Sequence, residues 1–255
     1  LVEKGLLEAF QQVSQGFSLD RMIADPELNP ELADVCRKLS LPGEERAWNH
    51  MLFGMRKAGK LAHIKTTRRT TMSWKYCDQF LFASEIALAE LLKDGCESLD
   101  AILCDPMTAA EFDSLATQLA PGFKPLDYRW GALMLRKVAK SIKGRASAMK
   151  LARLSKPIPV TPSKLRGLPE SAGVYLINAA GEGGQSLYGG ETLNLRERAA
   201  IQFDLGASSF WKKLSKGLEL RLISTDSIPK DLIAYQSLLI QKHEPQLNFL
   251  GLAGA

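Results

Sequence analysis

Apolar residues recur every three to four positions over Glu3–Gln15, where Leu6, Leu7, Phe10 and Val13 share one side, and this spacing predicts an opening amphipathic helix. Asn29-Pro-Glu reads as an N-cap followed by proline at the first helical position, starting a helix that runs through Leu39 and stops at Leu41-Pro-Gly. The next helix is expected from Glu44 to about Lys57, with Trp48, Met51, Leu52 and Met55 on one face and Ala58-Gly-Lys closing it. The pattern then changes. Leu61–Thr71 alternates and is rich in threonine, with Arg68-Arg69 at its tip, and Met72–Phe82 is again β-prone, so a basic hairpin is expected there. Helical spacing returns over Ser84–Asp94, Thr108–Ala120 and roughly Leu126–Leu154. Lys156-Pro-Ile-Pro-Val-Thr-Pro-Ser cannot sustain a helix, because its prolines remove donors and fix φ. Beyond it, two short apolar strands flank the glycine-rich stretch 181–184, a helix opens near Glu191, Leu218–Ile223 forms a third strand, and a last helix runs from Lys230 to Lys242.

This order predicts an α+β, multidomain chain. Its expected parts are a recognition domain over 1–83, a helical middle region over 84–155, a Pro-rich linker over 156–167 and a small C-terminal α/β sandwich over 168–250, with a three-stranded sheet and flanking helices. Helix, short turn, helix and basic hairpin resembles the winged helix-turn-helix family by element order alone; an ordinary small α+β domain fits the same order. The winged-helix resemblance implies that Glu44–Lys57 enters the major groove and that the hairpin lies on phosphates. Candidate DNA contacts are Arg46, Asn49, Arg56, Lys57, Lys60, Arg68 and Arg69.

Charge strengthens that expectation. The formal net charge is +5, and it is unevenly placed. Residues 1–36 hold two bases against seven acids, Arg37–Lys75 ten bases against two acids, and Tyr128–Lys156 nine bases with no acid. Two basic bands favour a polyanion partner, with double-stranded DNA first, and they add Lys137, Lys140, Lys143 and Arg145 to the candidate contacts. Four cysteines (Cys36, Cys77, Cys96 and Cys104) form no Cys-x-x-Cys pair, so reduced thiols in a cytoplasmic protein are expected rather than a zinc site. No apolar run is long enough for a membrane helix, and Glu3 and Lys4 argue against a signal peptide.

The chemistry sits at the C-terminus. Gly173-Val174-Tyr175 and Tyr188-Gly189-Gly190 lie on the two predicted strands, Arg198 falls ten positions past the second tyrosine, and Pro245 to Asn248 closes the chain's last motif. Over 168–250 this string resembles the GIY-YIG nuclease superfamily. The resemblance implies phosphodiester hydrolysis in DNA with Mg²⁺ or Mn²⁺. Tyr175 would line the attacking water, Tyr188 would position it, Arg198 would hold a non-bridging phosphate oxygen, and Asn248 would tie the chain end to the sheet. Tyrosine, with an ordinary pKa of about 10, serves as a base only beside a cation or metal.

One position departs from the family. Its metal-holding glutamate, four residues before an isoleucine and twelve before the terminal asparagine, corresponds to Gln236 here. A neutral amide is a poorer Mg²⁺ ligand than a carboxylate. Three accounts compete: an introduced isosteric change, natural loss of the ligand, or transfer of the metal to another acid, Glu191 and Glu197 being nearest in sequence. Gln202 also stands where many members carry histidine. The expected activity is a metal-dependent, sequence-selective endonuclease of restriction or defence type, acting as a homodimer or by successive nicks. The alternatives are a structure-specific repair nuclease and a non-catalytic DNA-binding protein on a degenerate nuclease fold.

Overall fold

The computed structural model describes residues 2–146, 149–181, 183–203, 205–227 and 229–249, and leaves aside the side chains at 139–141, 143–145, 205–208, 229 and 230. Helices fill the first part: α1 (Val2–Val13), α2 (Leu19–Ala24), α3 (Leu28–Lys38), α4 (Glu45–Lys57), α5 (Trp74–Cys77), α6 (Leu81–Lys93), α7 (Leu99–Cys104), α8 (Pro106–Leu119) and α9 (Pro125–Ala146). Short polar caps start several of them. Ser18, Ser73 and Ser98 accept from the backbone N–H three residues on, and Asp105 accepts from Met107 ahead of a helix whose first residue is Pro106.

The basic hairpin expected over 61–82 is not formed. Residues 61–73 contain no strand; the backbone N–H groups of Thr67 and Arg68 both donate to the Gly16 carbonyl, at 2.9 and 3.0 Å, so this stretch is pinned to the turn between α1 and α2. Residues 74–77 and 81–93 are helical instead. The physical reason lies in burial: an isolated two-stranded ribbon is marginal in water, whereas Phe80 and Phe82 become fully enclosed when the run coils against α8 and α9. Without strands there is no wing.

The second part is β1 (Ile158–Pro159), α10 (Pro162–Arg166), β2 (Gly173–Ala179), β3 (Ser186–Thr192), α11 (Leu195–Gln202), α12 (Leu205–Leu214), β4 (Leu218–Ser224) and α13 (Pro229–His243). The sheet has four strands in the order β1-β4-β2-β3, with its pairs antiparallel, not the three expected. The extra strand comes from the Pro-rich segment, where Pro159 is tolerated because β1 is an edge. Val174 and Leu176 point to one face and pack with Leu239 of α13, while Tyr175 and Ile177 point to the other and join a core that continues into the helical part through Phe80, Phe82 and Tyr128. The helical part and the sheet therefore meet over the β2–β3 hairpin, with α9 packed on α13.

Candidate active site

The antiparallel register sets Tyr175 opposite Gly190 and Ile177 opposite Tyr188. Tyr175 lies across β3 so closely that a Cβ at Gly190 would come within 2.4 Å of its Cζ, which explains the glycine. Asn194 caps α11 by accepting from the N–H groups of Arg196 and Glu197. From that start, Arg198 and Gln202 fall one turn apart on the face toward the sheet. Arg198 Nη1 donates to the Tyr175 hydroxyl at 3.0 Å, and this hydroxyl donates to Gln202 Oε1 at 2.7 Å. Asn248 brackets Gly189: its Oδ1 accepts from the Gly189 N–H at 2.8 Å and its Nδ2 donates to the Gly189 carbonyl at 2.7 Å. Residues spread from 175 to 248 thus converge on one cluster.

The helical part closes that cluster. Asp78, just after α5, places Oδ1 2.7 Å from Arg198 Nη2, and its backbone carbonyl accepts from the same nitrogen. Asp78 Oδ2 accepts from Thr192 Oγ1 at 3.0 Å and from the Leu193 N–H at 3.1 Å. Glu85 of α6 accepts from the Tyr188 hydroxyl at 2.9 Å and from Gln236 Nε2 at 3.1 Å on one oxygen, and from Asn248 Nδ2 at 3.0 Å on the other. Phe82 lies beneath the Arg198 guanidinium, 4.9 Å from its ring centre. Tyr175, Tyr188, Arg198, Gln236, Asn248 and Glu85 are all buried, none more than 4% exposed.

Burial governs the titration. It pushes both tyrosine hydroxyls above their ordinary value, more strongly than Arg198 pulls them down, so each is a neutral donor here and neither is a base. Desolvation alone would lower Arg198, but the Asp78 carboxylate beside it holds the guanidinium charged. Glu191 is pushed up to about 8, first by burial and then against the pull of Arg198 by Asp78 and Glu85. Its Oε2, together with Arg198 Nε and Gln202 Nε2, is buried without a hydrogen-bond partner among the described residues.

The donor set does not fit a divalent cation. Gln236 aims its amide N–H groups at Glu85 and at the Gly189 carbonyl, and both Glu85 oxygens are already taken by hydrogen-bond donors. Among the described residues, no group of three His, Cys, Asp or Glu side chains is arranged to hold a metal. What the cluster can do is bind the oxygens of an anion through Arg198, the Thr192 hydroxyl and the Leu193 N–H, as it binds Asp78.

The candidate DNA contacts scatter. Asn49 is fully buried and donates to the Cys104 carbonyl at 3.0 Å, so it cannot read a base; α4 packs inward through Trp48, Leu52 and Phe53. Arg46, Arg56 and Lys60 pair with Asp105, Asp20 and Glu3. Much of the charge segregated along the sequence is matched within the fold, since acids from the first 36 residues meet this basic band. Arg136 of the second band likewise pairs with Asp100 and Asp20, and Arg129 with Asp113. Lys57, Arg68 and Arg69 are exposed, with Arg68 stacked on Phe17, and Lys137 lies over Trp130. The side chains of Lys140, Lys143 and Arg145 lie outside the described residues.

Sequence reasoning missed Asp78 and Glu85. Glu85 had one signal: a single acid inside the apolar run Phe80–Leu88, where an unpaired charge would be costly. Asp78 had none, because its partners are more than a hundred residues away.

An 89-residue segment is 35% identical to UvrABC system protein C of Geobacter metallireducens (strain ATCC 53774 / DSM 7210 / GS-15), covering 34% of this chain and 14% of that protein. No protein-family model matches the chain, and no solved structure matches it. No helix among the described residues is long and apolar enough to cross a membrane.

Proposed function

We propose that this chain is a DNA-acting protein built on a GIY-YIG-type phosphodiesterase site, an endonuclease in its open form and closed in the arrangement described here. The observation that carries this is the convergence of Tyr175, Tyr188, Arg198 and Asn248 on one hydrogen-bonded cluster. In the open form Arg198 would hold a non-bridging phosphate oxygen by charge-assisted bonds, and the two hydroxyls, 175 and 188, would orient the attacking water. Asn248 fixes the strand that carries Gly189 and so the place of its neighbour Tyr188. The similarity to UvrABC system protein C supports the nuclease reading.

Gln236 favours a second reading, a DNA-binding protein that has lost turnover, because its amide is built into the closed contact as a donor. Cleavage of a long mixed-sequence duplex in Mg²⁺ or Mn²⁺, by this chain beside Gln236→Glu, separates the two. Discrete bands from this chain establish a sequence-selective nuclease, and smears a structure-directed or unselective one; cleavage by Gln236→Glu alone establishes that this chain has lost turnover at that position. Intact duplex with retained binding by both establishes the non-catalytic reading. Accumulating nicks would mark a single-site monomer, and direct double-strand breaks a homodimer.

A further inference from the structure

We propose that Asp78 and Glu85 form an intramolecular inhibitor, with the Asp78 carboxylate standing in for the substrate phosphate; this rests on reading the cluster as a phosphodiester site. The contact is selective. Six hydrogen bonds tie the two carboxylates to the nuclease-type half: Arg198, Thr192 and Leu193 donate to Asp78, and Tyr188, Gln236 and Asn248 to Glu85. Three of those six donors are motif residues. A general packing surface would bury apolar area around the site and leave the motif side chains their own partners. Here each acid is spent on the groups that would meet substrate.

Asp78 is bound as an oxyanion is bound. A guanidinium holds one oxygen, while a hydroxyl and a backbone N–H hold the other. Two oxygens of a phosphodiester present the same fork to arginine as a carboxylate does. Phe82 closes the other side of the guanidinium. Electrostatics act in the same direction: the Asp78 carboxylate already sits on Arg198, so a phosphate approaching the intact cluster meets a negative charge in its place. The plug is not a loose flap. Phe80, between the two acids, is fully buried and packs edge-on to Tyr76 and Tyr128, so α6 moves only with the helical part as a body. Opening therefore means separating the helical part from the sheet, and the free energy for it must come from a ligand that binds the open form better. A polyanion laid over the cradle of Arg198, Thr192 and Leu193 competes directly with Asp78.

The test uses the full chain, a short fluorescent DNA duplex as probe, and EDTA throughout, so that no cleavage enters. The near-isosteric pair Asp78→Asn plus Glu85→Gln is compared with the parent and with a charge-matched control, Asp94→Asn plus Glu97→Gln, on exposed positions. If closure limits binding, releasing it tightens the apparent affinity by about ten-fold, the fraction of closed molecules setting the gain. The control should gain little, and adding Arg198→Ala should abolish the gain. Amide exchange over β2, β3 and α11 should quicken in the unplugged variant. Unchanged exchange would overturn the inhibitor while leaving the nuclease reading standing. Quicker exchange with no gain in affinity, or a gain that survives Arg198→Ala, would overturn the inhibitor and the phosphate role of Arg198 together. Should the double variant fold poorly, Asp78→Asn alone carries the same comparison, since Glu85 then keeps its own partners.

Discussion

Replacing Gln236 by glutamate tests the closed junction through stability rather than through turnover. The side chain is 4% exposed, and its Nε2 donates to Glu85 Oε2 and to the Gly189 carbonyl, both at 3.1 Å. Gly189 keeps Asn248 and Glu85 keeps Tyr188, so neither acceptor is orphaned by the change. The cost comes from a second carboxyl group set against the first. Two carboxylates at hydrogen-bond distance cannot both ionise in a buried site, so one must hold a proton. Keeping a glutamate neutral at pH 7, nearly three units above its ordinary pKa, costs about 3–4 kcal/mol at 1.36 kcal/mol per unit. At pH 5 the same cost is about 1 kcal/mol, because that pH lies less than one unit above the ordinary pKa. The sign follows from proton counts: between those pH values the folded variant binds a proton that the unfolded variant has released, so its stability relative to the parent falls as pH rises. Urea denaturation in EDTA at pH 5.0 and 7.0 measures both differences. An equal loss at the two pH values, or none at pH 7, would refute the placement of Gln236 against Glu85.

Three further outcomes follow from the same contacts. Arg198→Ala should cost about 3 kcal/mol by leaving the half-buried Asp78 without its cation, and adding Asp78→Ala should return part of that loss, giving a coupling energy of at least 1 kcal/mol in a double-mutant cycle by denaturation. Glu191, with its folded pKa raised to about 8 mainly by burial, binds a proton that the unfolded chain loses above its ordinary range, so it weakens the fold progressively as pH rises toward 8; Glu191→Gln should flatten that stretch of a stability–pH curve and be more stable than the parent at pH 8.5. Gly190→Ala should cost about 1–3 kcal/mol by forcing the Tyr175 ring off β3, visible as a lower melting temperature and an altered tyrosine near-ultraviolet signal.

How much of this was legible in the sequence depends on how local each signal is. Gly173, Tyr175, Tyr188 and Arg198 sit within 26 residues, on a hairpin and the helix that follows it, so spacing alone sets their order; two strands and a helix are found as expected, although Glu191 still belongs to β3 and α11 opens only at Leu195, where Asn194 supplies the cap. The fourth strand was hidden because prolines argue against a central strand and say nothing against an edge. The wing was misread for a related reason. Threonine-rich alternation over 61–71 resembles a strand, but a strand needs a partner, and here the backbone finds the Gly16 carbonyl instead. The basic bands were read as a DNA surface because linear sequence shows charges and not their partners; Arg56, Lys60, Arg129 and Arg136 all find acids in the fold.

The site itself divides along the same line. Motif spacing locates the groups that would act on a phosphate, and it is silent on whether a phosphate can reach them. Access is decided by Asp78 and Glu85, which belong to no motif and reach the site only when the helical part folds over the hairpin. Drift that had merely removed the metal ligand would leave Arg198 and Asn248 free to lose their identities, since nothing would then depend on a guanidinium or an amide at those places. In this chain something does depend on them. Arg198 neutralises a half-buried Asp78, and Asn248 serves Gly189 and Glu85 at once, so the residue that would hold the phosphate and the one that fixes the strand also hold the two halves together. A substitution at Arg198 should therefore lower stability and DNA binding together, and a variant there that loses binding with its melting temperature intact would break that link.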